Sequence, residues 1–381
     1  MNTGKADLSI TLGVEEEFFL VDPDTRDMLA DPDPQIFEHC QTRVGPHKVV
    51  PEFLRSQIET NTRVCRSVSG VRSSMRETRG LVIESAERFG ATVLGASTHP
   101  FAKWTDQLTT PRQRYLDFEM TYQQAVRNFM VSGMHVHAGF GDKDARIGVM
   151  TALRRYLPVL LALSASSPFA QGRNTGYKSY RLCVVGALPR TSLPNALYSA
   201  ADYEQLLATY QRMNFISDGS EIWWDIRPSQ RYPTIELRIC DLCTRLEDAM
   251  CLVAWFACLV RRLLRQHYAN KLPEEPLTEI IAENRWVAQR YGVLAFLGGM
   301  AGSGRTDIAD LVKQLIDTLS EDAEALGCEA ELRHALEIVN YGSGADRQTD
   351  HYRLRLLEGD SDAQALKSVV DLILEDTRAG I

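Results

Sequence analysis

The chain has 381 residues, and 42 Lys and Arg against 50 Asp and Glu leave a formal net charge of −8. A well-mixed acidic surface lacks the concentrated basic face that phosphate contacts along a polynucleotide require, so nucleic acid is excluded as a partner. A hydrophobic fraction of 44%, with 25 Gly and 15 Pro, is that of a globular protein and rules out a Pro/Gly-driven fibre or tail.

At the N-terminus, MNTGKADLSITLG has neither the basic start nor the apolar middle of a secretory signal. Strand length and composition mark Ser9 to Val21, Ala91 to Thr98, Ser132 to Phe140, Glu221 to Ile226 and Thr234 to Cys240. Apolar residues at helical spacing mark Val68 to Phe89, Arg112 to Phe129, Ala145 to Ala165 and Leu246 to His267. Beyond Leu277 the pattern is almost wholly helical, through Asp307 to Leu326 and Asp362 to Asp376. The longest apolar run, Ala249 to Val260, has 12 residues against the roughly 18 or more of a membrane span, and reads as a buried helix. Eight Cys without framework spacing point to reduced thiols and a cytoplasmic location. No repeat, low-complexity tract or linker divides residues 1–381, which read as a single α+β unit with a helical C-terminal part from about residue 275. Helices then cover one face of an antiparallel sheet and leave the other free for chemistry.

In GVEEEFFLV, strand alternation puts Leu12, Val14, Phe18 and Leu20 on one face and Glu15 with Glu17 on the other. Two carboxylates about 6 to 7 Å apart at the backbone repel unless a cation lies between them, and a hard divalent ion is the economical one. Glu16 falls on the apolar face, where an ion pair with an Arg is expected. PTIELRIC repeats the arrangement, with Glu236, Arg238 and Cys240 on one face and Ile235, Leu237 and Ile239 on the other. A solvated edge strand explains the first segment alone, and a plain cross-strand ion pair the second.

SGMHVHAGF places His135 and His137 on one face of a strand bracketed by Gly133 and Gly139, a spacing that lets both imidazoles reach one point above the sheet. A satisfied pair of sheet histidines is the alternative. Glu52 and Glu59 are seven apart, which neither helix nor strand spacing settles; Pro51 and the β-branched residues after Ile58 favour a turn into a strand. The loop SSPFAQGRNTGYKSYR offers Arg173, Tyr177, Lys178 and Arg181 as candidates for holding an anionic ligand, against an ordinary surface loop. Gly299 to Thr306, GMAGSGRT, comes within one residue of a phosphate-binding P-loop, but Arg305 stands in place of Lys and the βαβ context is missing, so a Gly-rich connector is expected. Cys240 and Cys243 form a lone CxxC without a second pair, and they, like Cys251 and Cys258, read as buried thiols.

Taken together, GVEEEF, EFLRSQIET, SGMHVHAGF, SPFAQGRNTGYKSYR, WWDIRPS, PTIELRICD, ENRW and GSGADRQ run in the order and approximate spacing of the carboxylate-amine ligase family called glutamate-cysteine ligase type 2, which the chain resembles from about residue 9 to about residue 350. The resemblance implies a glutamine-synthetase-like fold, a curved antiparallel sheet with helices on its convex face and the active site on the concave one. It implies Glu15, Glu17, Glu52, Glu59, His135 and Glu236 as ligands for Mg²⁺ or Mn²⁺, with Arg238 and Arg181 facing a transferring phosphoryl group, and it leaves His137 unassigned. Arg173, Tyr177 and Lys178 are the nucleotide-side candidates. The expected reaction joins an amino-acid carboxylate, activated by ATP, to an amine, with γ-glutamylcysteine as the expected product. Small-molecule substrates and a homodimer follow from the same resemblance. Two other readings stay open on the residues alone: a metal-dependent hydrolase using His135 and His137, and a non-catalytic nucleotide or amino-acid sensor.

Overall fold

A computed structural model describes residues 7–299 and 304–381. Its centre is a seven-stranded sheet in the order β2-β3-β1-β5-β9-β8, with β4 paired to β1 and every pairing antiparallel. The strands are β1 (Thr11–Val21), β2 (Lys48–Pro51), β3 (Gln57–Asn61), β4 (Thr92–Leu94) and β5 (Met134–Gly139), then β8 (Ile226–Pro228) and β9 (Thr234–Leu237). A small hairpin of β6 (Phe169–Ala170) and β7 (Arg173–Asn174) stands apart from it.

The helices in chain order are α1 (Gln35–Arg43), α2 (Val68–Arg88), α3 (Gln113–Tyr122), α4 (Gln124–Arg127), α5 (Lys143–Leu153), α6 (Leu157–Ser164), α7 (Arg181–Val185) and α8 (Ala200–Arg212). They continue as α9 (Leu246–Tyr268), α10 (Thr278–Tyr291), α11 (Ile308–Leu326), α12 (Glu329–Arg333), α13 (Ala335–Tyr341), α14 (Gly344–Leu357) and α15 (Asp362–Arg378). Helix α9 is buried on all sides from Asp248 to Val260, packed against β5, α2, α5, α6 and α11, so the long apolar run is a core helix. Lys143–Ser164 is also apolar and long enough to cross a bilayer, but it is buried within the protein.

Local chemistry moves several predicted boundaries. The helix expected from Ala145 to Ala165 breaks at Arg154–Tyr156 into α5 and α6, because Pro158 has no N–H to give the Arg154 carbonyl and the turn tightens to 3₁₀. Arg112 to Phe129 divides at Gln123, whose φ of 49° cannot continue a helix. Of Glu221 to Ile226, Glu221 ends a 3₁₀ turn capped by Asp218, residues 222–225 are irregular, and the strand begins only at Ile226. Of the P-loop-like Gly299 to Thr306, residues 300–303 lie outside the described residues; the flanks, β10 (Phe296–Gly298) and β11 (Arg305–Asp307), pair as a hairpin, whereas a phosphate loop runs from strand into helix.

The apolar face of β1 behaves as its alternation requires: Leu12, Val14, Phe18 and Leu20 join the core. Glu16 is only 1% exposed among them and pairs with the fully buried Arg79 of α2. The Arg79 guanidinium lies 2.5 Å from Glu16 Oε1 and donates to the Cys243 and Thr244 carbonyls, 2.9 Å each, which ties β1, α2 and the entry to α9 at one point. Breaking a buried, fully bonded pair from one side strands a charge, at a cost of about 3 to 5 kcal/mol. Arg79→Met is therefore expected to lower unfolding free energy by about that amount, measured by urea denaturation, with Glu16→Met added to it recovering much of the loss.

Candidate active site

Strand register assembles the site. On the face opposite the core, Glu15 stands directly across from His135, Glu17 across from Glu59, and His137 across from Glu236, so four adjacent strands present their polar residues in one row. Two groups of three result, Glu15 with His135 and Glu236, and Glu17 with Glu52 and Glu59; in each, one ligand atom per residue lies within 4.8 Å of the others. Glu52 reaches its group from the turn between β2 and β3, the turn that Pro51 announces. Pairing of β2 with β3 brings together two glutamates whose sequence spacing says nothing.

The two groups differ in electrostatics. Glu236 is held by Arg238, in close contact with Oε1, and by Arg227, whose Nε donates to Oε2 at 2.9 Å. Burial raises the Glu236 carboxyl, but the Arg238 and Arg227 charges hold it well below the usual carboxylate range. Glu15 is likewise raised by burial and brought well below its ordinary value by the neighbouring imidazoles of His135, whose Nδ1 lies 3.3 Å from its Oε2, and His137. Burial, then the Arg238 charge, pushes the His135 imidazole down to about 4, so it is neutral at pH 7. His137 Nδ1 bonds Thr234 Oγ1 at 3.0 Å, which turns Nε2 toward Glu15 Oε1, 3.3 Å away. Nε2 of both His135 and His137 is buried without a hydrogen-bond partner.

Among the described residues no arginine forms a salt bridge with the second group, although the Arg181 and Arg238 charges lower Glu17. Burial, then Glu52, pushes Glu17 up to about 8, although the Gly133 N–H donates to its Oε2 at 2.8 Å. Burial, then Glu15, Glu52 and Glu17, drives Glu59 well above the carboxylate range. Asn61 Nδ2 donates to Glu59 Oε1 at 2.6 Å, and Tyr115 Oη from α3 donates to Glu52 Oε2 at 2.6 Å. Helix α3 reaches from the Glu52 turn to the approach to β8: Phe118 packs edge-on against Phe53, 5.8 Å between centroids, and against Trp223 at 5.6 Å. Unpartnered imidazole nitrogens beside carboxylates, and a carboxylate trio that makes no salt bridge among the described residues, are the donor sets that hard or borderline divalent ions take. The residues therefore fit the ions expected of them.

Arg181 is buried at the Glu17 end, where it donates to the Arg238 carbonyl at 3.3 Å. It lies so close to Gly133 that a β-carbon there would stand 2.5 Å from its Nη2, a space that only glycine leaves. Its loop is fixed by Asp241, which accepts from Ser166 N at 2.9 Å, Ser167 Oγ at 2.7 Å and Ser179 Oγ at 2.8 Å. The expectation that Cys240 shares a face with Glu236 and Arg238 fails. Arg238 N and Ile239 N both donate to the Asp225 carbonyl, at 2.8 and 3.0 Å, a β-bulge that shifts the strand by one residue. Cys240 thereby joins the core beside the Leu160 carbonyl, and Asp241 takes the polar side. Cys240, Cys243, Cys251 and Cys258 are free thiols in the core, as expected.

Arg173, Tyr177 and Lys178 make their contacts elsewhere among the described residues. Arg173 is exposed on the β6–β7 hairpin, Tyr177 packs under Arg290, and Lys178 pairs with Asp346 at 2.6 Å. Sequence reasoning missed Arg227, although it lies in WWDIRPS directly across from Glu236, and it missed Asn61 and Tyr115, the last of which belongs to no quoted motif.

A carboxyl whose folded pKa exceeds its unfolded one binds more protons when folded, so stability declines as pH rises between the two values. For Glu17 that window runs from 4.5 to about 8. The thermal midpoint of chelator-treated protein is expected to fall through this window, Glu59→Gln to flatten the fall, and added Mg²⁺ to reverse it. Scanning calorimetry at several pH values checks this, and a midpoint that climbs steadily through the window contradicts the crowding.

Residues 11–371 match the model of glutamate-cysteine ligase family 2. A relative from Rhodospirillum rubrum, named as a candidate glutamate-cysteine ligase 2, is 41% identical over 97% of this chain and 96% of its own. A relative of the same name from Jannaschia is 40% identical, with 97% of each chain covered. Among solved structures, the Francisella tularensis glutamate-cysteine ligase in complex with AMP superposes with a TM-score of 0.69 at 13% identity, covering 98% of this chain and 90% of its own. A bifunctional glutathione synthetase from Pasteurella multocida follows at 0.66 and 15%, covering 97% of this chain and 53% of its own. The α+β architecture is thus the glutamine-synthetase-like ligase fold, and the chain belongs to glutamate-cysteine ligase family 2, a family of ligases that form carbon–nitrogen bonds.

Proposed function

We propose that this enzyme activates an amino-acid carboxylate with ATP, as an acyl phosphate, and passes the acyl group to an amine. The γ-carboxylate of glutamate and the amine of cysteine, which give γ-glutamylcysteine, are the substrates that the names of its relatives suggest. The observation that carries the reading is the pair of three-ligand groups side by side on one rigid face, with a guanidinium reaching both. Arg238 contacts Glu236, lies 3.4 Å from His135 Nδ1, and its charge lowers the carboxyls of Glu17 and Glu52. The AMP in the Francisella complex supports the use of an adenine nucleotide.

Glu15, His135 and Glu236 would hold one Mg²⁺ or Mn²⁺, with His137 Nε2 as a further donor, and Glu17, Glu52 and Glu59 would hold another. Bound there, the ions neutralise phosphate charge and orient the γ-phosphoryl group for in-line transfer. Arg238 donates to the equatorial oxygens of that group, whose charge is greatest in the transition state, and Arg181 fixes the peptide that carries Arg238. The buried apolar backing of the strands keeps these donors from reorganising as charge moves. Arg173, Tyr177 and Lys178 lie outside both ligand groups and stay candidates for the nucleotide side. The catalytic unit spans the chain, since residues from Glu15 to Asp346 build or brace the site.

The test is incubation with MgATP, hydroxylamine and a panel of amino-acid carboxylates. Hydroxamate and carboxylate-dependent ADP are expected with glutamate, and the absence of both with every acid would sink the reading. Glu15→Gln, which removes a ligand charge and little volume, is expected to cut turnover by about a hundredfold or more with unchanged circular dichroism.

A further inference from the structure

The ENRW segment lies on α10, outside the sheet, and supplies none of the donors described so far. Its arginine nevertheless makes a bidentate pair with Asp225: Arg285 Nε to Oδ2 at 2.6 Å and Nη2 to Oδ1 at 2.9 Å. Asp225 is 5% exposed, and among the described residues no other cation forms a salt bridge with it. Its carbonyl is the acceptor that Arg238 N and Ile239 N share, so the residue pinned by Arg285 is the one around which the bulge forms. Asp225 N is fixed as well, donating to the Ser192 carbonyl at 3.0 Å.

We propose that Arg285 is a positioning residue that sets the aim of Arg238. The proposal rests on the function proposed above for the Arg238 guanidinium. With its N–H held by the Asp225 carbonyl, Arg238 lies along its own strand against Glu236 and His135, and its own carbonyl accepts from Arg181. Arg238 and Arg181 therefore both depend on where one carbonyl, that of Asp225, stands. Without Arg285 the Asp225 carboxylate is buried and unpaired, and the backbone must shift to bring it to water. Arg238 N and Ile239 N then lose their fixed acceptor, and although alternation alone keeps Arg238 on the face of Glu236, nothing holds its backbone at the depth that its contacts with Glu236 and His135 and its carbonyl's contact with Arg181 require. Lysine keeps the charge but cannot reproduce the fork of two parallel bonds.

The experiment uses the full chain, with Arg285→Met, Arg285→Lys, Arg238→Lys and the double variant Arg238→Lys/Arg285→Met. Hydrogen exchange of the peptide covering residues 234–242 reads the bulge without any catalytic assay. Arg285→Met is expected to speed exchange there by about tenfold or more while β1 is unchanged. In the ligase assay it is expected to lower kcat by about tenfold to a hundredfold, with KM for the carboxylate within about threefold of wild type. Arg285→Lys should recover part of the loss, and the double variant should be no slower than Arg238→Lys by more than about twofold, since both act through one group. Unchanged exchange at 234–242, or losses that multiply in the double variant, would overturn the proposal. If Arg285→Met does not fold, Arg285→Lys carries the same two readouts. Altered exchange in a protein that makes no hydroxamate with any acid leaves Arg285 bracing the bulge but refutes a role in this reaction, and it counts against the ligase reading rather than the geometry.

Discussion

Like charges on one face of the sheet are the constraint around which the molecule is built. Strand pairing forces Glu17 opposite Glu59 and brings Glu52 in from a turn, so three carboxylates share a space that one would fill comfortably. The fold answers unevenly. Around Glu236 it supplies two guanidinium groups; around Glu17 it supplies one backbone N–H, and around Glu52 and Glu59 one phenol and one amide. Such a trio is stable only to the extent that the rest of the structure prevents the strands from parting. The sheet behind it is accordingly locked by a dense core, and by Glu16 with Arg79, whose three-way attachment holds β1 where the repulsion would push it out.

The same economy governs the supporting loops. Two buried carboxylates that do not face the substrates, Asp225 and Asp241, each fix a loop. Asp225 takes Arg285 on its side chain and two amides on its carbonyl, and Asp241 collects one amide and two hydroxyls from the loop that ends in Arg181. The distant GSGADRQ segment braces that loop from behind: Gly344 sits against Ser166, Ala345 N donates to the Ala165 carbonyl at 2.9 Å and Gln348 Nε2 to the Ser166 carbonyl at 2.9 Å. Half of the motifs that mark the family thus hold donors, and the other half hold the loops that carry them.

What could be read from the sequence follows from the range of the physics involved. Alternation along one strand is local, so the two faces of β1, the ion pair of Glu16 with an arginine and the His135, His137 row were all legible. Pairing between strands is not local. Glu52 and Glu59 gained meaning only from the resemblance, and Arg227 went unnoticed although it faces Glu236 across a single pairing. Arg173, Tyr177 and Lys178 rest on the composition of their loop, which does not say which way a loop faces, and they stay candidates for the nucleotide side. Cys240 was misplaced because alternation assumes an unbroken strand, and the interruption comes from a carbonyl thirteen residues earlier in the chain, which no periodicity can announce.

That interruption also sets what the gene can tolerate. Between Leu237 and Asp241 the strand holds one residue more than its partner β8 can match, and the surplus is what returns Asp241 to the polar side. Side chains in this stretch can change in size with local consequences. A single-codon deletion there would be different: it would take up the surplus and keep Asp241 on the polar side, but the Asp225 carbonyl would lose one of its two amides, and the peptide that carries Arg238 and accepts from Arg181 would be redrawn. Chain length in this segment is held more tightly than the identity of any apolar residue within it.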